Sequence, residues 1–129
     1  MGGTPEDLGA LHEEVREVLY EGDVVKIVTP ANSCEDGLRL LRYLRKTGKG
    51  LVAFCSGEKG SFTRVLAPIL GSPFTYAAPA ELPGHEVGAL TAPGQLRVND
   101  LHALAPPGGL SHETAVFGVI GNPIGQSWS

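Results

Sequence analysis

Cysteine is scarce in this chain: Cys34 and Cys55 are its two thiols in 129 residues. Two cysteines make no disulfide framework, and they are expected to remain thiols in a reducing compartment. Neither a Cys-x-x-Cys pair nor a paired-His spacing occurs, which argues against a structural zinc site. No run of about 20 apolar residues is present, so no transmembrane helix is expected. Met1-Gly2-Gly3-Thr4-Pro5-Glu6-Asp7 lacks the basic start and apolar stretch of a signal peptide, and this favours the cytoplasm. Positive charge is in the minority. Ten Lys and Arg face 14 Asp and Glu, for a net charge of −4. Such a balance gives no pull toward nucleic acid or an anionic membrane. With 42% hydrophobic and 19% charged residues the chain reads as globular, and its length allows one domain at most.

What is present alternates between two periods. Leu8, Leu11, Val15, Val18 and Leu19 recur at spacings of three and four, predicting an amphipathic helix over 5–19 with Thr4 as N-cap. Residues 24–29 form a β-branched run, a buried strand. Ser33 is expected to cap a helix over 35–46, with Leu38, Leu41 and Leu44 on its apolar face and Gly48 and Gly50 beyond its end. Next come a strand over 51–55, a turn over 56–60, a helix over 61–70 and a strand over 74–78. A loop over 79–94, a short helix over 98–104, a linker and a new strand over 116–120 complete the order. Strands joined by helices of this length require a parallel sheet, and so the α/β class. Periodicity alone leaves two architectures open, a doubly wound sheet and a piece of an eight-stranded barrel.

Both place ligands at the carboxyl ends of the strands. Lys26 stands there, inside an apolar run of Val24, Val25, Ile27 and Val28. An amine withdrawn from water is the kind that forms an imine with a ketone. The alternative is a lysine at a strand mouth that reaches solvent. Arg64, four residues after Gly60, could present its planar fork to a carboxylate at the same mouth. The alternative is a surface arginine. The 56–61 segment lacks the Gly-Lys-Ser/Thr ending of a phosphate-binding loop, and Arg39, Arg42, Arg45 and Lys46 read as a solvated helix face.

Four segments in order resemble type I 3-dehydroquinate dehydratases. Lys26-Ile27-Val28 with Ala31-Asn32-Ser33 resembles the strand that carries that family's Schiff-base lysine. Ser56-Gly57-Glu58-Lys59-Gly60-Ser61-Phe62-Thr63-Arg64-Val65 resembles its Gly-Glu-x-Gly-x-x-Ser-Arg segment. Leu70-Gly71-Ser72-Pro73-Phe74-Thr75-Tyr76 is similar to its Phe-Gly-Ser-x-x-Thr-Phe strand, and Thr91-Ala92-Pro93-Gly94-Gln95-Leu96 to its Ser-Ala-Pro-Gly-Gln-Ile lid. The resemblance implies a (β/α)8 TIM barrel, with residues 1–105 supplying the last three βα units. It implies that Lys26 forms an imine with the C3 ketone of 3-dehydroquinate and that Arg64 holds the C1 carboxylate. Thr91 and Gln95 would be the lid groups that touch substrate hydroxyls. The dehydratase would need no metal or organic cofactor.

Some residues depart from the family pattern. Its acid/base histidine lies on the strand before the lysine strand, and none of His12, His85, His102 and His112 sits on such a strand. Residues 2–6 resemble the segment just after that histidine, so the chain alone is expected to turn over little. His85 lies in an extended loop, either as a substitute base or as an exposed loop residue. Ser56 stands where the family usually has methionine.

After a linker over 106–115, residues 116–129 resemble the opening of shikimate dehydrogenase. Ser127 and Ser129 fall on its shikimate-binding Ser-x-Ser pair, and Gln126 replaces its usual histidine. The implied parent is a dehydroquinase–shikimate dehydrogenase fusion, with NADP belonging to the dehydrogenase body. A non-catalytic half-barrel binding or assembly module is the competing reading. A half-barrel exposes a sheet edge and an apolar face, so self-association into a homo-oligomer, or pairing with the other half-barrel, is expected.

Overall fold

The structure is a computed structural model that describes residues 4–5, 7–47, 50–80, 92–105, 108–111 and 113–115. Its order is α1 (Leu8–Arg16), β1 (Val25–Pro30), α2 (Cys34–Thr47), β2 (Leu51–Ser56), a 3-10 turn (Glu58–Gly60), α3 (Phe62–Leu66), a second 3-10 turn (Pro68–Leu70) and α4 (Val98–Leu104). The class is α/β: β1 and β2 pair in parallel, Val25 against Leu51 through Pro30 against Ser56. None of the described helices is long and apolar enough to cross a membrane.

Alternation along the strands separates two faces. Val25 and Ile27 of β1 and Leu51, Ala53 and Cys55 of β2 join Leu8, Leu40, Leu41, Leu44 and Ala67 in one core. Lys26, Val28, Val52 and Phe54 therefore line the opposite face. The helix α2 starts just after β1 because Ser33 and Asp36 cap it reciprocally. The Asp36 carboxylate accepts from the Asn32 and Ser33 amides at 2.9 and 3.0 Å, and the Asp36 amide donates to Ser33 Oγ at 3.4 Å. Its buried side is Gly37, Leu40, Leu41 and Leu44, while Leu38 is 39% exposed, so the expected stripe through Leu38 is corrected. Gly37 takes the inward place in that turn, and it lies so near the Phe62 ring that a side chain there has no room.

Three further expectations change. Thr4 is not the cap of α1; Asp7 is, accepting from the Ala10 amide at 2.9 Å. Thr4 is instead buried, its hydroxyl 2.8 Å from that of Thr29, and its carbonyl accepts from Arg39 at 2.9 Å. The helix also ends at Arg16, where Val18 and Leu19 tighten onto the carbonyls three residues back and Val18 is 74% exposed. The single helix expected over 61–70 is broken at Pro68, which has no N–H to continue the ladder. The strand expected over 74–78 does not form among the described residues. Ser72 Oγ donates to the Phe74 carbonyl at 2.8 Å. Ala78 is drawn instead to the Leu96–Val98 backbone, in a lone parallel bridge with Arg97. The strand expected over 116–120 lies outside the described residues.

Candidate functional site

The carboxyl ends of β1 and β2 are tied together by their loops. The Ala31 amide donates to the Ser56 carbonyl at 3.0 Å, and Lys59 Nζ donates to the Asn32 carbonyl at 2.8 Å. Thr63 fixes the start of α3 against β2: its hydroxyl accepts from the Cys55 amide at 2.8 Å and donates to the Gly60 carbonyl at 2.6 Å. One residue later, Arg64 is turned inward and is 2% exposed. Its guanidinium carbon lies 4.2 Å from the centroid of the Phe54 ring. Burial lowers the pKa of Arg64 from its ordinary value, with Cys55 acting in the opposite direction.

Lys26 projects from β1 on the same face as Phe54, but as the second of the six β1 residues its backbone lies near the amino end of the strand, not at the carboxyl end expected for it. Its Nζ lies 4.1 Å from the centroid of the Tyr76 ring and 5.7 Å from that of Phe54. Phe54 and Tyr76 stand 5.7 Å apart, tilted, and Phe74 meets Tyr76 edge-on at 5.7 Å. The lysine expected to be buried among apolar neighbours is exposed in this chain. Its valine neighbours in sequence divide between the two faces, and Val28, on its own face, is 43% exposed. Rings flank the amine, but nothing described covers it. Lys26 and Arg64 are thus brought to one ring, that of Phe54, from two different elements.

The segment over 92–97 docks on the loop that follows β2. The Gly57 amide donates to the Pro93 carbonyl at 3.0 Å, and Gln95 is buried. Gly94 has φ +72°, and a side chain there would overlap the Gly57 carbonyl. The loop ahead of α3 is therefore in direct contact with the Pro93-Gly94-Gln95 turn. Thr91, His85, Ser127 and Ser129 lie outside the described residues.

Two buried polar atoms lack partners among the described residues: Arg64 Nε and Thr75 Oγ1. Both residues line a cavity of about 230 Å3 between α3 and α4, with Val65, Pro68, Ile69 and Leu101. Lys26 does not line it, so this cavity belongs to the helix side of Arg64 rather than to the lysine face. His12 is also remote in role. It is buried, with Nδ1 2.9 Å from the hydroxyl of Tyr43 on α2. No group of three or more His, Cys, Asp or Glu able to hold a metal occurs among the described residues.

Sequence reasoning alone misses Phe54 and Tyr76 as site residues. The signal for Phe54 is its two-residue spacing from Val52, the register partner of Lys26. For Tyr76 it is the aromatic position closing the Phe-Gly-Ser-like segment.

The family model for type I 3-dehydroquinase matches residues 1–105. A 3-dehydroquinate dehydratase from Pyrobaculum aerophilum is 38% identical over 108 residues, covering 79% of this chain and 33% of that protein. A crystal structure of 3-dehydroquinate dehydratase from Geobacillus kaustophilus HTA426 superposes with a TM-score of 0.59 at 26% identity, over 79% of this chain and 38% of that one. The dehydroquinate dehydratase and shikimate dehydrogenase from S. pombe matches with a TM-score of 0.54 at 26% identity, over 79% of this chain and 18% of that one. The chain spans about a third of the length of the curated relatives it matches. By the family match over residues 1–105, the chain belongs to the type I 3-dehydroquinase family.

Proposed function

We propose that this chain carries the imine-forming portion of a 3-dehydroquinate dehydratase, converting 3-dehydroquinate to 3-dehydroshikimate. The observation that carries the proposal is the convergence of Lys26 and Arg64 on Phe54. Lys26 attacks the C3 ketone carbon, and the ketone oxygen leaves as water as the C=N bond of the imine forms. The imine draws electrons from C2; a base takes the C2 proton, and the C1 hydroxyl takes up a proton and leaves as water as the C1=C2 double bond forms. Hydrolysis of the imine then frees the product and the lysine. Arg64, buried and planar, holds the C1 carboxylate by paired N–H donors. Gln95 and Thr91 are the groups that would contact the substrate hydroxyls and help exclude water. The electron sink is the lysine's own imine, so type I chemistry needs no cofactor.

In this proposal residues 1–105 are the last three βα units of a TIM barrel, 106–115 a linker, and 116–129 the opening of a shikimate dehydrogenase. Ser127 and Ser129 would then meet shikimate, and NADP would belong to the dehydrogenase body. The family match over residues 1–105 and the similarity to the S. pombe protein support this layout. Cytoplasmic location fits the free thiols of Cys34 and Cys55. His12 is engaged with Tyr43 and so does not serve as the acid/base at Lys26; proton transfer typically supplies about 10²–10⁴-fold of rate. We accordingly expect imine formation by this chain to outpace turnover.

Borohydride reduction in the presence of 3-dehydroquinate, with peptide mapping of the product, tests the proposal. The ligand mass is expected on the peptide containing Lys26 and absent from the Lys26→Ala chain. Mass on Lys59 instead, or on no lysine, would favour a non-catalytic binding or assembly module.

A further inference from the structure

We infer that Tyr76 is a positioning residue for Lys26: the face of its ring, packed against Phe54, holds the amine on the face that Arg64 also reaches. The inference rests on the imine chemistry proposed above and adds to it the group that aims the nucleophile. Its starting point is geometric. Lys26 Nζ lies 4.1 Å from the centroid of Tyr76, well inside the roughly 6 Å over which an ammonium is attracted to a ring face. Among the described residues, none of the ion pairs includes Lys26. The valine neighbours on its face offer no polar contact, so among the described residues the π faces are what meet this cation.

The choice of partner has a chemical consequence. A carboxylate beside the amine would keep it as a paired ammonium and would have to be left behind before attack on a carbonyl. A ring face attracts the cation without supplying a counter-charge or a competing hydrogen-bond acceptor, and it stays in place once the nitrogen is neutral. The ring is itself held. Tyr76 packs against Phe54, which is 3% exposed, and meets Phe74 edge-on. Because Arg64 lies over the same Phe54 ring, the aromatic group sets the spacing between the nucleophile and the cation proposed to hold the carboxylate. Tyr76 is 40% exposed, so its replacement removes the ring face without emptying a core position.

The test uses the full chain with 13C-labelled lysine and needs no substrate in its first arm. Ring currents are expected to displace the Lys26 Cε–Hε signals upfield of those of Lys46 and Lys59. Tyr76→Phe keeps the displacement, and Tyr76→Leu loses most of it. In the second arm, borohydride trapping with 3-dehydroquinate is expected to give the wild-type yield in Tyr76→Phe and a roughly five- to tenfold lower yield in Tyr76→Leu, the scale of a ring–cation attraction. Lys26 signals that coincide with those of Lys59 in the wild-type chain overturn the inference. So does a trapping yield that is equal in Tyr76→Leu and wild type. Upfield signals with no adduct in any of the three chains reject the imine reading, and with it the positioning role, while leaving the ring contact standing as a structural fact.

Discussion

The Gly57 carbonyl occupies the space that a side chain on Gly94 would need. This contact docks the 92–97 segment on the loop that leads to Arg64, and the Gly57 amide seals it by donating to the Pro93 carbonyl. Gly94→Ala adds a methyl group at φ +72° against fixed backbone. A strain of about 1–3 kcal/mol is expected, relieved by release of the turn. Hydrogen exchange at the Gly57 amide checks it: protection should fall in the variant while protection within β2 is retained.

The helix packing makes a paired prediction. Leu44 is fully buried beneath α2, and Leu38 on the same helix is 39% exposed. Leu44→Ala should cost about 2–5 kcal/mol. Leu38→Ala should stay within about 0.5 kcal/mol. Urea denaturation of the two variants separates the observed packing from the 38-41-44 stripe that spacing suggests.

That difference shows where sequence is informative. The extents of α2 and α4, and both paired strands, are legible because Ser33, the glycines near 50 and the β-branched run at 24–29 act locally. The stripe on α2 is misread from spacing because Gly37 has no side chain to reveal that it faces Phe62. The 74–78 segment has the composition of a strand, but its ladder depends on partners remote in sequence, and Ala78 is taken by Leu96 and Val98 instead. The site is half legible. Lys26 and Arg64 stand out by residue type, whereas their meeting over Phe54 depends on strand register and on Thr63 fixing the start of α3. Lys26's exposure is hidden for the same reason, since adjacent valines in a strand point to opposite faces.

Asp36 links the cap of α2 to pH. Desolvation raises its pKa, but the Asn32 and Ser33 amides, the Ser33 hydroxyl and Arg39 outweigh it, so the net shift is downward. A carboxyl that titrates lower in the folded chain than in the unfolded one stabilises the fold above its unfolded pKa. That stabilisation is lost as pH falls through the unfolded value and then the folded one. Thermal unfolding of wild type and Asp36→Asn is expected to differ near neutral pH and to converge in acid below the ordinary carboxylate range.

The lysine face also predicts association. Val28, Phe74 and Tyr76 are 43%, 47% and 40% exposed there, and the described sheet has two strands and hence two edges. An apolar face beside free strand edges favours pairing with a second copy or with the rest of a barrel. Sedimentation should show mass rising with concentration; a monomer at all concentrations would contradict this.

The most direct measurement is a crystal structure of the chain after borohydride reduction with 3-dehydroquinate. A single bond from Lys26 Nζ to the former ketone carbon is expected, with the ligand carboxylate bridged by the Arg64 guanidinium above Phe54. Unmodified Lys26 with Arg64 directed wholly into the cavity between α3 and α4 would contradict the proposed chemistry.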